Sequence, residues 1–232
     1  MYKKKKLALF ERDPMADGLI FGPAPWLVLM CGAKHSGKTV AIKYVCRAYA
    51  HVFAAIIVFC PTALTGAYDF LPKKYVFDDY DPVVMRELMA RQEEYKRAGK
   101  NVHVLVIFDD ALSSDTIDWE RRKQNELSRL WSANRHWNLS CIVVTQSLKR
   151  VPRLLRDNVD YACIFRVMRE AYAGLYEAFG HTSKAEFNEF LEENTRDYRI
   201  ILYKANVSDP ADHFRCFKLP AAELTRRFTL IY

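Results

Sequence analysis

Continuous apolar runs alternate along this chain with stretches in which apolar residues recur every three or four positions. Residues 26–31 (WLVLMC) form a run of the first kind, ended by a glycine-containing turn. From Lys38 to about Tyr49, Ala41, Val45 and Ala48 fall at helical spacing while Lys43 and Arg47 occupy another face. A second buried strand is predicted over 53–59 (FAAIIVF), stopped by Pro61, and a third over 102–108 (VHVLVIF). Between them, Asp81-Pro82 places a capping side chain before a proline at the first helical position, and Gly99 ends the charged helix that follows. A further helix is predicted from 117 to about 134, a fourth strand over 140–145 (SCIVVT) and a fifth over 160–167. Then the pattern changes. Two short helices, near 169–179 and 183–193, precede a strand at 198–203; Ser208 to Asp212 reads as a turn, and 213–218 returns beside that strand as an antiparallel edge.

Such alternation of doubly buried strands with amphipathic helices predicts an α/β fold with a mainly parallel central sheet and helices on both faces. At 232 residues the chain is sized for one domain, ample for a sizeable core. Residues 1–25 read as a basic arm and lead-in, and 26–232 as a single domain whose part from 169 onward adds helices and edge strands. Two tandem motor cores, or a motor fused to a nuclease, would need roughly 300–400 residues.

Composition changes the picture only in places. Half-hydrophobic content with 27% charged residues excludes wholesale disorder. The net charge of +7 hints at a polyanionic partner, but Lys3, Lys4, Lys5 and Lys6 carry four of those charges, leaving 31 bases against 28 acids in the rest. No stretch approaches the ~20 apolar residues of a membrane span, and the lysine-rich start lacks the apolar core of a secretory signal. Six cysteines show no C-x-x-C pair and no metal-finger spacing. A reduced, intracellular, non-secreted protein is expected, and the sequons at Asn138 and Asn206 carry no weight.

The sharpest chemistry is Gly32-Ala33-Lys34-His35-Ser36-Gly37-Lys38-Thr39, a full match to G-x-x-x-x-G-K-[ST]. A chance match in such a chain is roughly one in a hundred at average composition. Its context agrees with its mechanism, because it follows a buried strand and opens a helix. Glycines let backbone N–H groups curl around the β- and γ-phosphates, aided by the positive end of the helix. Lys38 would neutralise phosphate charge and the Thr39 hydroxyl would hold Mg²⁺. The motif predicts an ATP site.

Asp109 and Asp110 follow the third buried strand, and ligands of open α/β sheets sit at such carboxyl ends. Asp109 would hold Mg²⁺ through water and Asp110 would polarise the attacking water; two solvated acids in a turn are the bland alternative. A further strand, 53–59, lies between the two motif strands. This arrangement resembles P-loop ATPases with an additional strand and a catalytic acid, rather than small kinases and GTPases. Glu is the commoner base in that class, and Asp110 is a carbon shorter.

The strand 140–145 ends in Gln146, whose amide could sense the γ-phosphate or position water. With it the series GAKHSGKT, FCPT, VIFDD, RHWNLSCIVVTQ and VPRLLRDN resembles the genome-packaging ATPases of poxviruses and other large or polinton-like DNA viruses, within the FtsK–HerA superfamily. The likeness covers about residues 26–167; the nucleotide motifs are generic, and the ordered Arg-His, Thr-Gln and Leu-Arg-Asp-Asn block is the specific part. It implies a RecA-like P-loop core and a homo-oligomeric ring that drives double-stranded DNA into a preformed capsid through a capsid or portal-like vertex component. It implies a setting in the host cytoplasm, viral factory or virion. It also implies an arginine reaching into the next subunit's site to stabilise transition-state charge. Arg135 is the first candidate and Arg156 the second; solvated surface charge is the alternative for both, and Arg135 sits near a helix end that favours a cation anyway. His136 reads as a packing or hydrogen-bonding residue. Length supports the ring independently: one core per chain leaves the other sites of a translocating motor to other copies.

Lys149, Arg150, Arg153 and Arg156 cluster after the glutamine strand, and with the lysine arm they offer two positive regions for phosphates. A solubilising tail and an exposed helical turn are the plain alternative. Tyr68, Phe70 and Tyr75, in the long loop after the second strand, are expected to anchor it to the body or to stack on a ligand. Two other functions stay open at this point: a nucleotide-gated capsid assembly factor with little turnover, and a small-molecule phosphotransferase.

Overall fold

Strands buried on both faces need apolar side chains at every position, and this requirement shapes the centre of the molecule. The computed structural model describes residues 9–10, 20–111, 126–209, 212–220 and 227–230. Its elements run β1 (Leu9–Phe10), β2 (Leu27–Cys31), α1 (Lys38–Ala48), β3 (Ala55–Phe59), β4 (Val76–Phe77), α2 (Pro82–Arg97), β5 (Val104–Asp109), α3 (Glu126–Ala133), β6 (Leu139–Thr145), α4 (Arg153–Asn158), β7 (Tyr161–Ile164), α5 (Tyr172–Phe179), α6 (Lys184–Asn194), β8 (Arg199–Lys204) and β9 (Phe214–Lys218).

Among the described residues, one nine-stranded sheet has the order β1-β9-β8-β7-β2-β6-β5-β3-β4. All neighbours from β4 to β7 pair in parallel, β8 runs antiparallel to both β7 and β9, and β1 pairs in parallel with β9. The predicted mixed sheet with antiparallel C-terminal strands is therefore present. The 213–218 strand lies inside the edge, because the two-residue β1 pairs outside it. Although β3 separates the two motif strands in the chain, β6 separates them in the sheet.

Alternation within each strand divides the core in two. Leu27, Leu29, Val106, Phe108, Cys141 and Val143 face a layer built with α2, α3, α5 and α6. Val28, Met30, Leu105, Ile107, Ile142 and Val144 face α1 and the 67–71 segment. Helices thus cover both faces, as predicted. Upstream of Trp26, the buried Ile20 and Phe21 join this second layer; Phe21 is pinned by Tyr49, whose hydroxyl accepts from its N–H (3.0 Å) and donates to its carbonyl (2.8 Å).

The predicted start and stop of α2 act where expected, and α6 carries a cap of its own. The Asp81 carboxylate accepts from Val83 N–H (2.7 Å) with Pro82 opening α2. Gly99 takes φ 68° just after the end of α2, a left-handed position suited to glycine. Ser183 and Glu186 form a reciprocal capping box on α6. The helix predicted from 117 is described from Glu126, its first part lying outside the described residues, as do residues 210 and 211 of the predicted 208–212 turn. All six cysteines are buried and unpaired. No helix among the described residues is long and apolar enough to cross a membrane.

The buried Gln92 side chain holds α2 to the sheet by donating to the carbonyls of Val102 (2.8 Å) and Trp137 (2.7 Å). Gln92→Leu should leave both acceptors without this donor and lower unfolding free energy by about 1–3 kcal/mol. Urea denaturation of wild type and variant checks this.

Candidate nucleotide site

Parallel neighbours fix the phosphate loop at its root. The Gly32 N–H donates to Thr145 O (3.1 Å) at the end of β6, and Ala33 N–H donates to Arg166 O (2.8 Å) beyond β7. No side chain fits at Gly32, where a Cβ would lie 2.5 Å from Ser36 Oγ and 2.6 Å from Phe165 Cβ. His35 (φ 59°) and Gly37 (φ 100°) turn the chain back on itself so that α1 starts at Lys38. The opening turn of that helix leaves the N–H groups of Lys38 and Thr39 without acceptors a turn earlier, which is what an anion needs.

Lys34 and His35 are exposed at the tip, while Gly37, Lys38 and Thr39 are half-buried. The Lys38 ammonium donates to the carbonyls of Gly32 (2.8 Å) and Ala33 (2.9 Å), lying across the mouth of the loop. Burial lowers its pKa, and the carboxylates of Asp110 and Asp109 oppose that by holding the charge. The Ser36 hydroxyl is buried with no hydrogen-bond partner among the described residues. A cationic amine, an unused hydroxyl and a helix start together suit a polyphosphate.

Across the sheet, Asp109 ends β5 and Asp110 turns off it at φ 52°. Burial raises the Asp109 pKa, partly offset by the Tyr68 hydroxyl, which donates to Oδ2 (2.8 Å). The Cys60 thiol lies on the same oxygen at 3.8 Å. Gln146, one residue past β6, donates from Nε2 to Asp110 Oδ2 (2.9 Å). Thr39 and Asp109 have the hard oxygen chemistry that suits Mg²⁺, and a carboxylate kept partly above its usual pKa by burial is poised to gain from a cation. Lys38, Thr39, Asp109, Asp110 and Gln146 thus share the carboxyl end of the parallel strands.

Arg135 does not join them. Arg135 lies in the 3-10 turn (Asn134–Trp137) before β6, at the amino end of the sheet, and pairs with Asp160 at 2.5 Å. The seven residues of β6 separate it from Gln146, about 20 Å at strand rise. Asp160 also accepts from Leu27 N–H (2.8 Å) at the start of β2. A cleft of about 200 Å³ opens beside the pair, lined by Pro25, Trp26, Tyr161 and Lys204 among others. Arg156, on α4, is half-buried with its Nε lacking a partner among the described residues. In the basic turn Lys149 is exposed, and Arg153 pairs with Asp157 (3.2 Å) one helical turn on. His136 lies near Lys96 Nζ (3.4 Å) and packs edge-on against Trp137.

Sequence reasoning missed the Tyr68–Asp109 contact. Of the two roles expected for Tyr68 and Phe70, anchoring the loop and stacking on a ligand, the structure has the first: both are buried, their rings 5.9 Å apart, and Phe70 packs on Phe228 at 4.9 Å. The Tyr68 hydroxyl reaching the acid 41 residues away had no local signal.

A phosphate loop between parallel strands, with an acid-tipped strand one place removed across a glutamine strand, defines a P-loop fold of the ATPase type. The chain belongs to the family described as Poxvirus A32 protein, whose match spans residues 21–216. It is 26% identical over 199 residues to the uncharacterized protein 088R of Invertebrate iridescent virus 3, covering 82% of this chain and 72% of that protein. It is 26% identical over 156 residues to the DNA packaging protein OPG160 of Monkeypox virus, covering 62% of this chain and 48% of that protein, so it spans about half the relative's length. Among solved structures, the genome packaging NTPase B204 from Sulfolobus turreted icosahedral virus 2, in complex with ATP-gammaS, has a TM-score of 0.60. That likeness has 20% identity and covers 84% of this chain and 97% of that one. The cytoplasmic domain of the Thermomonospora curvata Type VII secretion ATPase EccC is similar at a TM-score of 0.57 and 15% identity, over 83% of this chain and 25% of that one. At these identities the solved structures share the fold.

Because the Asp109 pKa is raised on folding, its charge costs stability once pH rises above the unfolded carboxyl's range, and the cost is full above the folded pKa. Asp109→Asn should therefore raise the melting temperature of nucleotide-free protein at neutral pH by roughly 2–4 °C. The difference from wild type should shrink as pH falls through that window, as read by thermal unfolding at a series of pH values.

Proposed function

We propose that this chain is the ATP-hydrolysing motor that drives double-stranded viral DNA into a preformed capsid, acting as a homo-oligomeric ring. The observation that carries the reading is the convergence of Lys38, Thr39, Asp109, Asp110 and Gln146 at one end of the sheet, in a chain of the A32 family. A relative named as a DNA packaging protein supplies the direction.

In this reading the backbone of residues 32–39 cradles the phosphates and Lys38 exchanges its two loop carbonyls for phosphate oxygens. Thr39 and Asp109 would hold Mg²⁺, which would neutralise charge gathering on the phosphates. Asp110 accepts the proton of a water that attacks the γ-phosphorus as the bond to ADP breaks. Gln146, already bonded to Asp110, fixes that carboxylate and the water beside it. The left-handed backbone at Asp110 turns the shorter acid off the strand end, which supports its use where Glu is commoner.

Arg135 supports the ring. Exposed and about 20 Å from Gln146 of its own site, it reaches a phosphate in a neighbour; Arg156 is the second candidate for that role. The ring meets DNA phosphates through the basic turn at Lys149 and Arg153 and through the Lys3–Lys6 arm, which lies outside the described residues. We assign residues 26–232 to one ATPase unit that docks on a capsid or portal-like vertex component, within the host cytoplasm or viral factory.

Displacement of a third strand from a DNA triplex tests translocation. Wild type should displace it in an ATP-dependent manner, and Lys38→Ala should be slower by at least about a hundredfold. Displacement by Lys38→Ala at the wild-type rate, or none by assembled wild-type rings, contradicts the motor. Mixing Arg135→Ala with Asp110→Ala subunits should restore part of the activity at shared interfaces. Assembled mixed rings without recovery would remove Arg135 from the trans role.

A further inference from the structure

The turn that opens β8 holds an uncommon backbone. Asp197 and Tyr198 both take positive φ, 56° and 60°, a region that bulky side chains occupy only where their surroundings enforce it. The enforcement is visible. The buried Arg199 donates from Nη2 to Glu193 O (2.5 Å) and from Nε to Arg196 O (3.2 Å), bracing the turn from beneath. Thr195 Oγ1 donates to Leu191 O (2.8 Å) and Cys216 Sγ lies on Asn194 O at 3.5 Å, so the approach to the turn is tied to α6 and β9.

What this bracing presents is an aromatic ring in solvent. Tyr198 is 66% exposed, and among the described residues it is the one Phe, Tyr or Trp so placed. Its position is specific. Because β8 runs antiparallel to β7, the first residues of β8 lie at the end of the sheet where the parallel strands finish. A Cβ built on Gly37 would lie 3.8 Å from Tyr198 Cδ1, so the ring borders the phosphate loop itself.

Sheet order gives the direction of a bound nucleotide. The Asp109 strand lies two places from β2 on one side, and β8 lies two places from β2 on the other. A triphosphate whose terminal phosphate points toward Asp109 and Asp110 carries its sugar and base away from them, over the loop and toward β7 and β8. We propose that Tyr198 is the stacking platform for the nucleobase, resting on the reading of residues 32–39 as a nucleoside-triphosphate site. The ring supplies a flat apolar face at low entropic cost. It favours the larger face of a purine over a pyrimidine without hydrogen-bond readout.

The test measures binding of three Mg²⁺-loaded probes by calorimetry: a non-hydrolysable ATP analogue, the matching CTP analogue, and inorganic tripolyphosphate. Wild type is compared with Tyr198→Phe and with Tyr198→Asn, asparagine being tolerant of the left-handed backbone. Tyr198→Asn should bind the ATP analogue about tenfold more weakly and lose most of the purine preference, with tripolyphosphate binding unchanged. Tyr198→Phe should match wild type. A Tyr198→Asn variant with wild-type affinity and purine preference overturns the platform alone, as does an equal loss for tripolyphosphate, which would make Tyr198 a support for the loop. Wild type that binds none of the probes overturns the nucleotide site and the platform together.

Discussion

The parallel pairing of β2 with β6 on one side and β7 on the other is the constraint on which the rest depends. It aligns the carboxyl ends of three strands, and backbone bonds from Gly32 and Ala33 carry that alignment into the loop. Gly32 is sealed between Ser36 and Phe165, so the loop leaves the sheet along one path. The neighbouring β5–β6 pairing brings the Val144 carbonyl to the Asp110 N–H at 3.2 Å, and hence Gln146 to the Asp110 carboxylate. Position at the site is thus dictated by strand pairing, and the chemistry rides on it.

The site is assembled at some cost to the resting protein. Burial disfavours the charged forms of Lys38 and Asp109; the carboxylates of Asp110 and Asp109 oppose it at Lys38, and the Tyr68 hydroxyl opposes it at Asp109. A buried hydroxyl at Ser36 lacks a partner among the described residues. Of the five non-glycine residues with positive φ among those described, His35, Asp110, Asp197 and Tyr198 lie at this end, and Asn138 lies at the other. Such concentrations of unmet polarity and strain are expected where binding supplies the missing interactions.

Much of this is legible in the sequence. Strands β2, β5 and β6 declared themselves because burial on both faces demands unbroken apolar runs, and α2 declared both ends through Asp81, Pro82 and Gly99. The phosphate loop was legible because its chemistry is local, eight consecutive residues between strand and helix. What stayed hidden depends on distance in the chain. Nothing near Tyr68 points to Asp109, and the ring of Tyr198 meets Gly37 only because an antiparallel β8 returns it to the loop. Two-residue strands such as β1 and β4 are too short for periodicity to register. The place of Arg135 before the glutamine strand is visible in the sequence, but its pairing with Asp160, and its distance from Gln146, belong to the sheet.

Steady-state ATP hydrolysis by the full chain, with and without linear double-stranded DNA, tests the central claim most directly. A DNA-driven motor predicts Mg²⁺-dependent hydrolysis that rises at least several-fold with DNA and grows cooperatively with protein concentration as copies assemble. Hydrolysis indifferent to both DNA and assembly, or transfer of phosphate to a small acceptor by a monomer, would contradict it.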